Sequence, residues 1–122
     1  MQRLALLVFV FALVFSSGCT PTAPLALTPE ARRIPVGQSD PGPGYSVIDG
    51  LDVVDGSGCG GFGSRGSFNG ALSQLRYKAG LLHADYIKLV STKEPYGDGR
   101  CFHNEYSISA IVYKKAAAAD TP

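Results

Sequence analysis

Residues 67–83 read SFNGALSQLRYKAGLLH, and this stretch decides the fold class. Ser67 is the side chain of an N-cap. Behind it Phe68, Ala71, Leu72, Leu75, Ala79 and Leu82 recur at i, i+3, i+4, i+7, i+11 and i+14, the stripe of an amphipathic helix. Gln74, Arg76 and Lys78 fall largely outside that stripe. His83 ends the run, at the left-handed C′ position usually given to glycine.

Strands flank the helix. Tyr45 to Val54 is rich in apolar and β-branched residues, broken by Asp49, Gly50 and Asp52; it reads as one strand, bulged near Gly50. Ala84 to Thr92 follows the helix as a second strand, with Ile87 and Leu89 facing one way and Tyr86 and Val90 the other. Lys93 to Phe102 is a turn-rich loop. From His103 to Lys115, Tyr106, Ile108, Ala110 and Val112 alternate with Ser107, Ser109, Ile111 and Tyr113 as the last strand. Upstream, Arg32 to Val36 is a further short edge strand, the place where Pro35 is tolerated. The order (β)-β-α-β-β is an α+β domain: a small antiparallel-leaning sheet with one amphipathic helix packed on it.

The N-terminus predicts export. Arg3 precedes an unbroken apolar run from Leu4 to Phe15, and Ser16-Ser17-Gly18 leads into Cys19. Twelve apolar residues reach only about 18 Å as a helix, short of the roughly 30 Å of a bilayer core. The run is therefore a cleaved signal, 1–18, of the lipoprotein type, although Ser16 stands where such signals usually carry Leu. Cys19 is the expected lipidation site, and Thr20 behind it suits the outer membrane. With Arg3 removed, ten basic and ten acidic side chains balance, so no field for nucleic acid exists. Thr20 to Gly44 holds six prolines and reads as a semi-rigid tether, and Ala116 to Pro122 reads as a frayed tail.

With Cys19 acylated, Cys59 and Cys101 remain as an even pair, in an exported chain most simply a disulfide. It closes about 43 residues, for which chain entropy gives roughly 4 kcal/mol. The same residues suggest other chemistry. Gly58-Cys59-Gly60-Gly61-Phe62-Gly63 matches G-x-G-x-x-G, with Asp85 downstream. The helix, however, starts four residues after the last glycine, and the acid opens a strand instead of ending one. Cys59 with His83 and His103 would suit a cysteine peptidase, but Cys59 lies eight residues before the helix N-cap, away from the terminus that lowers a thiol pKa. Cys59, Cys101, His103 and His83 are also possible zinc ligands, a reading the oxidising compartment disfavours. No catalytic, cofactor or metal residue is assigned. Tyrosine makes up half of the aromatics, and Tyr45, Tyr96, His103 and Tyr106 are the expected interaction surface.

Gly66-Ser67-x-x-Gly70-Ala71-x-x-x-Leu75-Arg76-x-x-Ala79, Ala84-Asp85-Tyr86-Ile87 and Ile108-Ser109-Ala110-Ile111-Val112-Tyr113-Lys114 together resemble a family of small uncharacterised bacterial lipoproteins. That family is similar to RcsF, the outer-membrane sensor lipoprotein of the Rcs envelope-stress pathway. The resemblance covers about residues 45–115. It implies a disulfide-bridged α+β domain hung from the outer membrane. Cys59 and Cys101 are similar to one of the sensor's two bridges; the second has no counterpart, and His83 stands where glycine is usual. The expected function is that of a non-enzymatic lipoprotein on the periplasmic face of the outer membrane. Its domain, 45–115, would serve protein interaction or envelope sensing. The alternatives are a small-ligand or metal-binding module and, more remotely, a cell-wall cysteine enzyme.

Overall fold

The structure is a computed structural model that describes residues 25–117. The expected signal peptide, the expected lipidation site Cys19, the first residues of the expected tether and the end of the expected tail lie outside the described residues. The principal helix, α2, runs from Phe68 to Leu81, and its predecessor α1 from Pro29 to Arg33. Both ends of α2 are closed by the residues expected to do so. Ser67 Oγ accepts from Gly70 N–H at 3.0 Å. Asp55 Oδ2 accepts from Ser67 N–H at 2.8 Å and sets a carboxylate at the positive end of the helix. At the other end His83 is left-handed, with φ 51°. His83 N–H donates to Gly80 O and Ala84 N–H to Ala79 O, each at 3.0 Å. Those two bonds are a Schellman motif with histidine in the glycine position.

The buried stripe of α2 is Ala71, Leu75 and Ala79, with Leu72 packed at its margin. Phe68 and Leu82, expected in the same stripe, are 39% and 40% exposed. Leu82 lies beyond the last turn, where the periodicity no longer holds.

The sheet has strands β1 (Val36–Gly37), β2 (Tyr45–Asp55), β3 (Tyr86–Lys93) and β6 (Tyr106–Lys115), in the order β1-β3-β6-β2. β6 lies between β2 and β3 and is antiparallel to both. The two strands joined through α2 are therefore parallel to each other with a third inserted, a split β-α-β arrangement. The face toward α2 carries Val53 and Leu51 from β2, Ile108, Ala110 and Val112 from β6, and Ile87 and Leu89 from β3. The bulge in β2 falls between Val47 and Asp49, just ahead of Gly50. A second bulge, between Leu89 and Ser91, removes Val90 from the expected alternation.

Two parts of the chain differ from their sequence reading. Residues 29–37, within the expected tether, are folded onto the domain. Thr28 Oγ1 accepts from Ala31 N–H at 3.1 Å as an N-cap, and Pro29 occupies the first turn, where its missing N–H costs nothing. Ala31 and Ile34 are buried, and β1 pairs in parallel with β3 through Val36 and Ile87. A short edge strand thus exists, but at Val36–Gly37 and not over Arg32 to Val36, because Arg32 and Arg33 belong to α1; its parallel pairing makes the sheet mixed. The turn-rich loop before the last strand also contains a two-stranded ribbon, β4 (Tyr96–Gly97) with β5 (Phe102–His103). His103 belongs to this ribbon, and β6 begins at Tyr106.

Candidate functional site

The ribbon and the glycine-rich loop meet at the N-terminal end of α2. Cys59 and Cys101 are bonded, with Cα atoms 5.7 Å apart, which joins loop to ribbon. The loop is tightly folded. Ser57 and Ser64 exchange backbone bonds of 2.8 and 3.0 Å, and Gly60–Phe62 forms one turn of 3-10 helix. Two close approaches require glycine: a Cβ on Gly63 would overlap the Ser57 carbonyl, and one on Gly66 the Asp55 carbonyl. Asn104 is the buried polar residue at the centre. Its Nδ2 donates to Gly60 O at 2.8 Å, its N–H to Gly58 O at 3.2 Å, and its carbonyl accepts from Gly66 N–H at 2.7 Å. A buried amide so placed is satisfied and fixes the loop to the ribbon.

That scaffold presents aromatic and cationic side chains. Phe62, at the tip of the 3-10 turn, is fully exposed. Arg65 lies over Phe102, 5.0 Å from the ring centroid. Lys93 Nζ lies 4.4 Å from the centroid of Tyr96, whose ring stacks on His103 at 4.7 Å and 22°. His103 Nε2 lies 2.8 Å from Asp98 Oδ2. Asp98 Oδ1 accepts from Arg100 N–H at 2.8 Å and Cys101 N–H at 3.0 Å. The His103 contact first, then the two backbone donors, hold the Asp98 carboxyl well below the usual carboxylate range.

The residues expected to form one surface are divided. Tyr96 and His103 stack at this pole. Tyr106 is half-buried against the core and meets Phe68 edge-on at 5.9 Å. Tyr45 pairs with Lys115 at the far end of the sheet, beside Tyr86 at 6.2 Å. Phe62, Arg65, Lys93, Phe102 and Asn104 were not singled out by sequence. The available signal was a large apolar residue, Phe62, between two glycines in a polar loop.

The geometry also bears on the other chemistries. His83 closes the C-terminal end of α2, at the opposite end of the helix from Cys59, Cys101 and His103, so it does not join them as a ligand. The first N–H groups of α2 face Ser67 and Asp55, an acidic neighbour that disfavours a phosphate there. Cys59 is in the disulfide, outside the helix terminus.

The domain is polar in the geometric sense. α1 packs beside Gly80, Lys114 Nζ reaches His83 O at 2.6 Å, and Ala116 N–H donates to Gly44 O at 2.7 Å. Chain entry and exit therefore sit at the C-terminal end of α2. The aromatic pole sits at its N-terminal end, about 21 Å away along the 14-residue helix. Among the described residues no helix is long and apolar enough to cross a membrane. Comparison of the chain with family models, curated proteins and solved structures finds no match.

Proposed function

We propose that this chain is a non-enzymatic envelope lipoprotein, held through an acylated Cys19, that offers its aromatic pole to another envelope protein. The observation that carries the reading is the opposition of the two poles. The segment leading back to Cys19 leaves from one end, and the exposed Phe62, Phe102 and Tyr96, with Arg65 and Lys93, stand at the other. Aromatic and arginine side chains on a rigid support are the composition of interface anchors, and rigidity lowers the ordering cost of binding. The disulfide and Asn104 provide it. Because α1 is docked and begins at Pro29, only residues 20–28 lie between it and Cys19, a reach of at most about 30 Å. The partner is therefore membrane-proximal.

The test is a photocrosslinking residue at position 62 in the full-length, membrane-bound protein, with the same residue at Gln38 as control. The expected outcome is a discrete adduct with one envelope protein from position 62 alone, lost in Phe102→Ser. Identical adducts from both positions, or none from position 62, refute the reading.

A further inference from the structure

We infer that the Cys59–Cys101 pole is a redox-gated zinc site, in which reduction of the disulfide frees two sulfurs to bind a divalent cation together with His103 and Asp98. The inference does not depend on the proposed partner.

Its basis is geometric. One donor atom each from Asp98, Cys101 and His103 already lies within 4.8 Å of the others. Cys59 is bonded to Cys101 and faces His103 across a backbone bridge. Tetrahedral zinc with bonds of about 2.0–2.3 Å needs donors roughly 3.3–3.8 Å apart. Cys59 stands outside that group of three while the bridge is intact, and joins it when reduction frees its Sγ from Cys101 to turn toward the other donors. Two thiolates, an imidazole and a carboxylate form a donor set of the type zinc prefers.

Three features hold these donors in place. The two backbone N–H groups on Asp98 Oδ1 leave Oδ2 aimed at His103. Tyr96 stacks on the imidazole and fixes its plane. Asn104, next in sequence to His103, locks the loop that carries Cys59. Such supporting contacts orient ligands before the metal arrives. They also give a physical account of an Asp-x-x-Cys-x-His order on a ribbon too short to contribute to the core.

The disulfide is open to reduction. Cys59 is exposed and Cys101 half-buried, so a dithiol can attack by thiol–disulfide exchange. The bridge gains two electrons and two protons and becomes two thiols, while the dithiol becomes a disulfide. Zn²⁺ then displaces both thiol protons to solvent, forms two metal–sulfur bonds, and takes the neutral imidazole and the carboxylate as its remaining ligands. Exchange with a second disulfide reverses the sequence: that disulfide takes up the two electrons and two protons to become two thiols, the Cys59–Cys101 bond re-forms, and the ion is released. The pole is stapled covalently in one state and by the metal in the other.

The experiment titrates Zn²⁺ into the full-length protein reduced by a phosphine, which takes an oxygen from water as the bridge becomes two thiols. The same titration is run on the oxidised protein, with Co²⁺ as the spectroscopic substitute. One ion per chain, loss of both reactive thiols, and thiolate-to-cobalt charge transfer with tetrahedral d–d bands are expected. The oxidised chain should bind at least 100-fold more weakly, and His103→Ala and Asp98→Asn should each weaken binding by about tenfold or more. If the reduced chain loses secondary structure, zinc must restore its circular dichroism. Affinity equal to that of the Cys59→Ser/Cys101→Ser variant, cobalt spectra without thiolate charge transfer, indifference to His103→Ala, or failure of zinc to refold an unfolded reduced chain each overturn the inference.

Discussion

Ile34→Ala separates a docked α1–β1 segment from a tether. Ile34 retains 7% of its exposure and belongs to the core cluster with Leu75, Ala79, Ala84 and Ile87. Truncating a buried Ile to Ala costs about 2–5 kcal/mol, with the spread set by how well the site collapses. Ile34 lies at the rim of the core, on a segment whose strand has only two pairs with β3. Such a segment can relax inward, which places the cost at the lower end, about 2–3 kcal/mol. A segment that behaves as a tether predicts a cost within about 0.5 kcal/mol, as for exposed sites. Urea unfolding reads the difference. With an m-value near the low end of the range, about 1 kcal/mol/M, the midpoint falls by about 2–3 M. Leu25→Ala, at a position 45% exposed, is the internal control and should leave the midpoint unchanged. Hydrogen exchange adds a local reading, because Ile87 N–H donates to Pro35 O at 2.9 Å. Its protection should drop in the variant by more than that of the β6 amides. An Ile34→Ala midpoint equal to wild type, with Ile87 protection intact, refutes the docking of residues 29–37.

Three further outcomes follow from the same contacts. Lys88, and then Tyr113, hydrogen-bond to Asp40 and hold its carboxyl below the ordinary value of 3.8; this stabilisation is complete above that value and is lost as the pH falls through the depressed one, so Asp40→Asn should flatten part of the acid limb of a stability–pH profile below about pH 4. His83→Gly removes a side chain from a left-handed position at φ 51° and should raise stability by about 0.5–1 kcal/mol in chemical denaturation, the relief of strain exceeding glycine's added chain entropy. Gly66→Ala forces a Cβ into the Asp55 backbone and should cost at least about 2 kcal/mol by the same measurement, because both groups are held by neighbouring bonds.

The parts of the fold legible in the sequence are those specified by neighbours along the chain. α2 carries its own period, its cap at Ser67 and its stop at His83. β6 alternates over ten residues, long enough for a period of two to register. The Cys59–Cys101 pairing followed from setting Cys19 aside as the expected lipidation site, before any geometry. What escaped is held by contacts distant in sequence. α1 is a single turn of five residues, too short to be stable without tertiary cover. Its signals, Thr28-Pro29 as cap and first turn and Ala31 with Ile34 one turn apart, were masked by the prolines around them. The ribbon strands are two residues each and show no period at all. Asn104 reads as an ordinary loop residue until Gly58 and Gly60, more than forty positions earlier, are brought against it. The candidate site falls in this second class. Tyr96 and His103 were found as residue types, whereas Phe62, Phe102 and Arg65 acquire meaning only when the disulfide joins loop to ribbon. The same dependence sets what holds the pole together. It has almost no apolar core beneath it, so one covalent bond, one buried amide and a few backbone bonds carry its structure. A pole built this way should be the first part of the domain to respond to the redox state of its surroundings.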